Sequence, residues 1–271
     1  MRYRRWCGAV LLAATAAMVL HGCAWPWKKK QPSAIIAVAL FDTSGSASGM
    51  RDSYISAFEK SIAGRLAGGC GDPRSALPRE SRAAHGVAYV ISQNSQATAY
   101  TRKEASFTAS KGWLGSSMDE DDRRRKARDS FLTEVKEMVS KSSADKYTDI
   151  MSAMYLAGKE FTGHKDYKHK LLIVFSDMVE QTRYHDFATE QLTAARISQI
   201  IEREKNSHRL PALRGVRVWV AGAGAKREGG MDTQRIQQIQ DFWLAYFKAA
   251  GADVDESRYA PTLINFDIPA N

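Results

Sequence analysis

Cysteine is scarce in this chain, with three residues in 271, at positions 7, 23 and 70. Cys7 lies in a basic-then-apolar leader and Cys23 at that leader's end, so Cys70 alone belongs to the body of the chain and a disulfide framework within it is excluded. Cys70 falls in a glycine-rich stretch, where an exposed thiol would invite dimerisation, and no histidine is spaced to activate it. Histidine is almost as sparse. Beyond the leader it occurs at 85, 164, 169, 185 and 208, with no zinc spacing. His164 and His169 sit in the lysine-rich stretch 163–170, which is expected to be an exposed loop. Long apolar runs are missing too: Gly8 to Leu20 is too brief to cross a bilayer comfortably. There is no internal repeat and no interleaving of basic with aromatic residues. The excess of 39 basic over 30 acidic residues therefore does not read as a nucleic-acid surface. Loss of residues 1–22 would remove three arginines and lower the formal charge from +9 to +6, a moderate excess that suits acidic protein surfaces or lipid.

What is present begins with an export signal. Arg2, Arg4 and Arg5 precede the short apolar stretch, the order of a signal peptide over residues 1–22. Leu20-His21-Gly22-Cys23 resembles the bacterial lipobox, which implies that Cys23 is acylated and becomes the mature N-terminus. Ala24 stands where inner-membrane lipoproteins carry Asp, so the same resemblance implies the outer rather than the inner membrane. An uncleaved anchor, or cleavage elsewhere that leaves Cys23 a plain thiol, are the alternatives. Trp25, Trp27 and Lys28 to Lys30 make residues 23–33 a membrane-proximal tether suited to anionic head groups, or else a solvated linker.

Residues 34–268 read as one α/β domain, and an apolar content of 44% is ample for its core. Three apolar runs, Ile35 to Phe41, Leu171 to Phe175 and Val216 to Ala221, alternate with amphipathic stretches. That is the pattern of a doubly wound, mostly parallel sheet with helices on both faces. Ile55, Phe58 and Ile62 predict a helix up to Leu66. Val87 to Ile91 and Ala97 to Thr101 predict a hairpin whose second strand is the antiparallel edge, and Thr262 to Phe266 a weak last strand. Asp119 to Ser140, about 30 Å long as a helix, would carry the chain back to the pole where the first strand ends. Helices are also expected from Ile150 to about Phe161, around Ile197 to Ile201, and from Ile236 to near Gly251. The cluster Trp243, Tyr246 and Phe247 has the spacing of core.

Asp42-Thr43-Ser44-Gly45-Ser46 follows the first apolar run directly and puts Asp42, Ser44 and Ser46 on one turn at a strand's end. Hard carboxylate and hydroxyl oxygens suit Mg²⁺ or Mn²⁺ rather than a soft metal. Thr148 stands just before a helix, and Asp177 ends the strand from Leu171. With these residues the chain resembles the von Willebrand factor A domain family. The adhesion site of that family, written Asp-x-Ser-x-Ser, then Thr, then Asp, is matched by Asp42, Ser44, Ser46, Thr148 and Asp177. One departure is Met178, where many members have Gly.

The resemblance implies a metal-ion-dependent adhesion site. Ser44, Ser46 and Thr148 would bind directly, the two Asp partly through water, and the open position would take an Asp or Glu carboxylate of a partner protein. Arg51, Arg183, Tyr184, His185, Lys226 and Arg227, on loops of the same pole, would contact that partner, positive charge suiting an acidic ligand. The expectation is a lipid-anchored envelope protein that binds rather than catalyses. Three alternatives stand beside it: Asp42, Ser46 and Thr148 as plain helix caps, a structural lipoprotein with a dead metal site, and a metal-dependent phosphohydrolase. The last is weakened by Ser44, where haloacid-dehalogenase-like phosphatases carry a second Asp.

Overall fold

In a computed structural model, residues 35–67, 83–93, 95, 102–108, 117–142, 147–224, 231–263 and 266 are described. The signal peptide, the tether with Cys23, Cys70, and the loop holding Lys226 and Arg227 lie outside them.

β1 (Ile35–Asp42) is buried at every position, as a central parallel strand covered on both faces must be. It pairs in parallel with β2 (Ala83–Ile91) on one side and with β4 (His169–Phe175) on the other. β3 (Arg102–Thr108) runs antiparallel to β2 at one edge, while β5 (Val216–Ala221) and a two-residue β6 (Tyr259–Ala260) extend the sheet in parallel from β4. The strand order is β3-β2-β1-β4-β5-β6. The chain thus reverses its direction of travel between β1 and β4, the crevice where open α/β sheets bind ligands.

Alternate residues of β1 feed two cores. Ile36, Val38 and Leu40 pack with α4 (Ile150–Gly163), α5 (Ala194–Asn206) and α6 (Thr233–Ala249). Ile35, Ala37, Ala39 and Phe41 pack with α1 (Arg51–Phe58), a π-turn (Glu59–Ala63), α2 (Gly64–Leu66) and α3 (Ser117–Lys141). The π-turn joins α1 to α2, so the helix expected up to Leu66 is continuous but changes its winding midway. Trp243, Tyr246 and Phe247 are fully buried core. Among the described residues no helix is long and apolar enough to cross a membrane.

Three boundaries differ from the sequence expectation. The antiparallel edge is Arg102–Thr108, later than Ala97 to Thr101, which lies outside the described residues. Glu104 and Ser106 are exposed, Arg102 and Lys103 half-buried and Phe107 buried, a weak alternation that hides a strand among charges. The last strand is Tyr259–Ala260 rather than Thr262 to Phe266. Pro261 has no N–H to continue the ladder, and its carbonyl instead accepts from the Gly222 amide at 3.1 Å. His164 and His169 are half-buried rather than loop-exposed, with His164 at the end of α4 stacked on His85, centroids 4.7 Å apart.

Candidate functional site

The turn after β1 is organised by Asp42. Its Oδ1 accepts the Ser44 amide at 2.8 Å and its Oδ2 the Ser176 hydroxyl at 2.7 Å. The Ser44 and Ser46 hydroxyls lie 3.0 Å apart. Asp42 and Ser44 are buried, whereas Ser46 is exposed at the mouth. The 3₁₀ turn that follows (Ser48–Met50) has no side-chain cap, so Asp42 and Ser46 are not there to cap a helix.

β4 brings the second carboxylate across the crevice. Asp177 Oδ1 accepts the Val179 amide at 3.0 Å. Burial first, and then the charge of Asp177, push the Asp42 carboxyl up to about 6. The charge of Asp177 therefore opposes the ionisation of Asp42 at the switch point. Tyr54 of α1 lies beside them. Its hydroxyl is buried without a hydrogen-bond partner among the described residues, and burial followed by Asp42 and Asp177 holds it protonated far above the usual phenol range.

Thr148 reaches the same rim. Its amide donates to Gln181 O at 2.7 Å and its carbonyl accepts from Gln181 at 2.9 Å, while the Asp149 amide donates to Ser92 O at 3.0 Å. These contacts tie it to the segments that leave β4 and β2. Thr148 is buried and does not cap α4. That cap is Asp149, whose Oδ1 accepts from the Ser152 amide. The five sequence-predicted oxygens thus sit on three segments at one pole: Asp42, Ser44 and Ser46 joined by hydrogen bonds, Asp177 coupled to them electrostatically, and Thr148 held on the adjoining loop.

The expected partner contacts divide. Arg183 and Tyr184 are exposed and stacked, with the guanidinium 4.6 Å from the ring centroid. His185 is buried, its Nδ1 3.4 Å from Glu190, and burial lowers its pKa. Arg51 points its guanidinium inward at the carbonyls of Thr43 and Ser142, fastening the turn to the end of α3.

Three participants were not singled out from sequence. Ser176 holds Asp42. Glu180 is fully buried and accepts the Ile150 and Met151 amides at 2.8 and 3.1 Å. Gly222 approaches so closely that a Cβ there would lie 2.7 Å from the Ser176 carbonyl. The apolar neighbours of Ser176 and the glycines around 222 were the available signals.

The donor set fits a hard divalent cation. Among the described residues no group of three His, Cys, Asp or Glu could hold a metal. The set instead pairs two carboxylates with hydroxyls, the make-up of a site that keeps water and takes an outside anion.

No family model matches the sequence, and no curated protein matches it significantly. Similar solved structures include the open conformation of the pilus adhesin SpaC from Lactobacillus rhamnosus GG, at 11% identity and TM-score 0.41, over 85% of this chain and 28% of that one. A von Willebrand factor type A protein from Catenulispora acidiphila is 14% identical at TM-score 0.36, over 81% and 43%. Human COPII-coat protein Sec24c is 11% identical at 0.34, over 72% and 27%. The chain spans less than half the length of each, and none reaches a TM-score of 0.5, so none bears on function.

Proposed function

We propose that the chain is a lipid-anchored bacterial envelope protein whose α/β domain holds Mg²⁺ or Mn²⁺ and, through it, an Asp or Glu of a partner protein, in adhesion or assembly. The observation that carries this reading is the pair of buried carboxylates, Asp42 and Asp177, facing each other where β1 and β4 part. Burial and the nearby charge of Asp177 make Asp42 hold its proton to about 6. A divalent cation bound there would favour the ionised form. Ser44, Ser46 and Thr148 would add oxygens, and one outside carboxylate would complete the charge balance. This is binding rather than turnover, because Ser44 occupies the position where a phosphoryl-transfer acid would stand. The exposed Arg183 and Tyr184 and the loop with Lys226 and Arg227 would meet the acidic partner.

Titration calorimetry with Mg²⁺ and Mn²⁺ tests the centre: the wild type binds one ion, while Asp42→Ala and Ser44→Ala bind it at least tenfold more weakly. Equal binding by all three sinks the proposal. The anchor rests on the Arg-rich leader and Leu20-His21-Gly22-Cys23. Cys23→Ser should leave the membrane fraction and lose labelled palmitate, and unchanged behaviour would reject the lipobox assignment.

A further inference from the structure

We propose that the Tyr54 hydroxyl belongs to the cation centre, where it accepts a hydrogen bond from a water that a small divalent ion retains, and that it thereby favours Mg²⁺ over Ca²⁺. This rests on the reading of Asp42, Ser44, Ser46, Thr148 and Asp177 as the ion's site, and adds to it a residue outside the motif.

Tyr54 stands on the first turn of α1, and its ring rests on the ends of the two strands that carry the acids. It packs on Phe175, centroids 5.5 Å apart, and Phe175 stacks on Phe41 at 4.9 Å. Phe41 precedes Asp42, and Phe175 lies two residues before Asp177. Gly222 shows how far the hydroxyl reaches. It follows Ala221, the partner of Phe175 across β4 and β5, and is therefore level with Ser176. A Cβ at Gly222 would collide with the Tyr54 hydroxyl and would lie 2.7 Å from the Ser176 carbonyl. The Ser176 hydroxyl is the one that donates to Asp42 Oδ2. The Tyr54 oxygen thus stands at the rim of the sheet, beside the residue that holds Asp42.

The packing does not require that oxygen. Tyr54 is 3% exposed, and its core neighbours Phe41, Phe58 and Phe175 carry plain phenyl rings. A phenylalanine would fill the same space without burying a hydroxyl that has no hydrogen-bond partner among the described residues. The charges that reach the hydroxyl are those of Asp42 and Asp177, so the pair of acids is what it faces. Burial, and then these two acids, keep its proton in place far above the usual phenol range. Tyr54 therefore offers the centre a neutral oxygen, suited to hydrogen bonding through water rather than to direct ligation. Mg²⁺ needs near-octahedral oxygen at about 2.0–2.1 Å and gives up water reluctantly, whereas Ca²⁺ accepts more protein oxygens at about 2.3–2.6 Å in flexible geometry. An oxygen that holds a retained water matters to the smaller ion and little to the larger.

Titration calorimetry of the full chain with Mg²⁺ and with Ca²⁺ compares wild type and Tyr54→Phe. The substitution should weaken Mg²⁺ by about tenfold, the low end for loss of a group behind the direct ligands, and Ca²⁺ by less than about threefold. In chelator, Tyr54→Phe should melt at or above the wild-type temperature, because a buried unpaired hydroxyl has been removed. A tyrosine that only fills the core gives a different signature: a lower melting temperature in chelator and equal losses for the two ions. In wild type, the ¹³Cζ resonance of Tyr54 should move saturably as Mg²⁺ binds, which decides the matter even if Tyr54→Phe fails to fold. Mg²⁺ affinity in Tyr54→Phe equal to wild type, equal losses for both ions, or a Tyr54 resonance that stays in place while Mg²⁺ binds would overturn the role of Tyr54 and leave the cation site standing. A wild type that binds no Mg²⁺ would overturn the site itself and this inference with it.

Discussion

At the scale of single residues, the site is shaped as much by backbone as by ligands. Met178 has φ +66°, a conformation that costs a non-glycine residue about 1–2 kcal/mol. That is the physical reason a Gly is favoured after the last acid of this motif. Here the side chain is fully buried, worth about 1.5–3 kcal/mol, and Trp243 Nε1 donates to the Met178 carbonyl at 2.7 Å. Burial and that hydrogen bond offset the strain, so the departure from the motif does not displace Asp177. Gly222 has no such latitude. With φ +106° and the Ser176 carbonyl 2.7 Å from where a Cβ would lie, Gly222→Ala should lose about 2–5 kcal/mol. It should also push Ser176 off Asp42, because the Tyr54 hydroxyl blocks the other side. Chemical denaturation measures the first effect, and a loss within 0.5 kcal/mol of zero would contradict the packing described here. Asp42, Ser44, Ser46 and Asp177 were legible in the sequence because their chemistry is written in residue type. Ser176 and Gly222 were not, because their roles depend on which strand ends are brought together.

At the scale of elements, the helix that follows Thr148 is fixed by two acids on its first turn. Asp149 caps it through the Ser152 amide, and Glu180 reaches over from the loop after β4 to take the Ile150 and Met151 amides. Both put carboxyl oxygens on amides that the first helical turn leaves without a backbone partner. Asp149→Ala should therefore cost about 0.5 kcal/mol, the low end for a lost cap, because Glu180 remains, and should raise hydrogen exchange at Ser152 before it affects the rest of α4. Exchange that rises evenly along α4 would contradict the shared cap. The sequence placed this helix at Ile150 to about Phe161, against Ile150–Gly163 observed. β5 matched residue for residue, since apolar runs and 3.6-residue periods are local signals. β3 and β6 were misplaced because a charged edge strand and a two-residue strand have no such signal: pairing alone defines them.

At the scale of the whole molecule, buried ionisable groups pull stability in opposite directions with pH. Asp42 is held up to about 6 against an ordinary 3.8. Its contribution is fully present below the unfolded value and lost as pH rises through about 6, costing on the order of 3 kcal/mol at neutral pH without a cation. Glu180, raised by burial and then Asp149, has the same sign. His85 and His185 are opposite. Burial lowers both from 6.5, so their contribution is present above that value and lost as pH falls below it. A bound divalent cation would cancel the Asp42 penalty alone. The increment in Tm produced by Mg²⁺ should thus be small at pH 5 and grow towards pH 7.5, by about 6–12 °C for a domain of this size. Below about 6, each pH unit lost should weaken Mg²⁺ affinity by up to about tenfold, because the ion must displace the Asp42 proton. Asp42→Asn keeps an oxygen for the Ser44 amide while removing the charge. It should raise the Tm in chelator at pH 7 and abolish the Mg²⁺ increment at every pH. Thermal scans of both proteins across pH 5–8, with chelator and with Mg²⁺, separate the metal centre from a pair of acids that merely tolerate each other: an increment equal in wild type and Asp42→Asn would assign the cation to some other part of the chain.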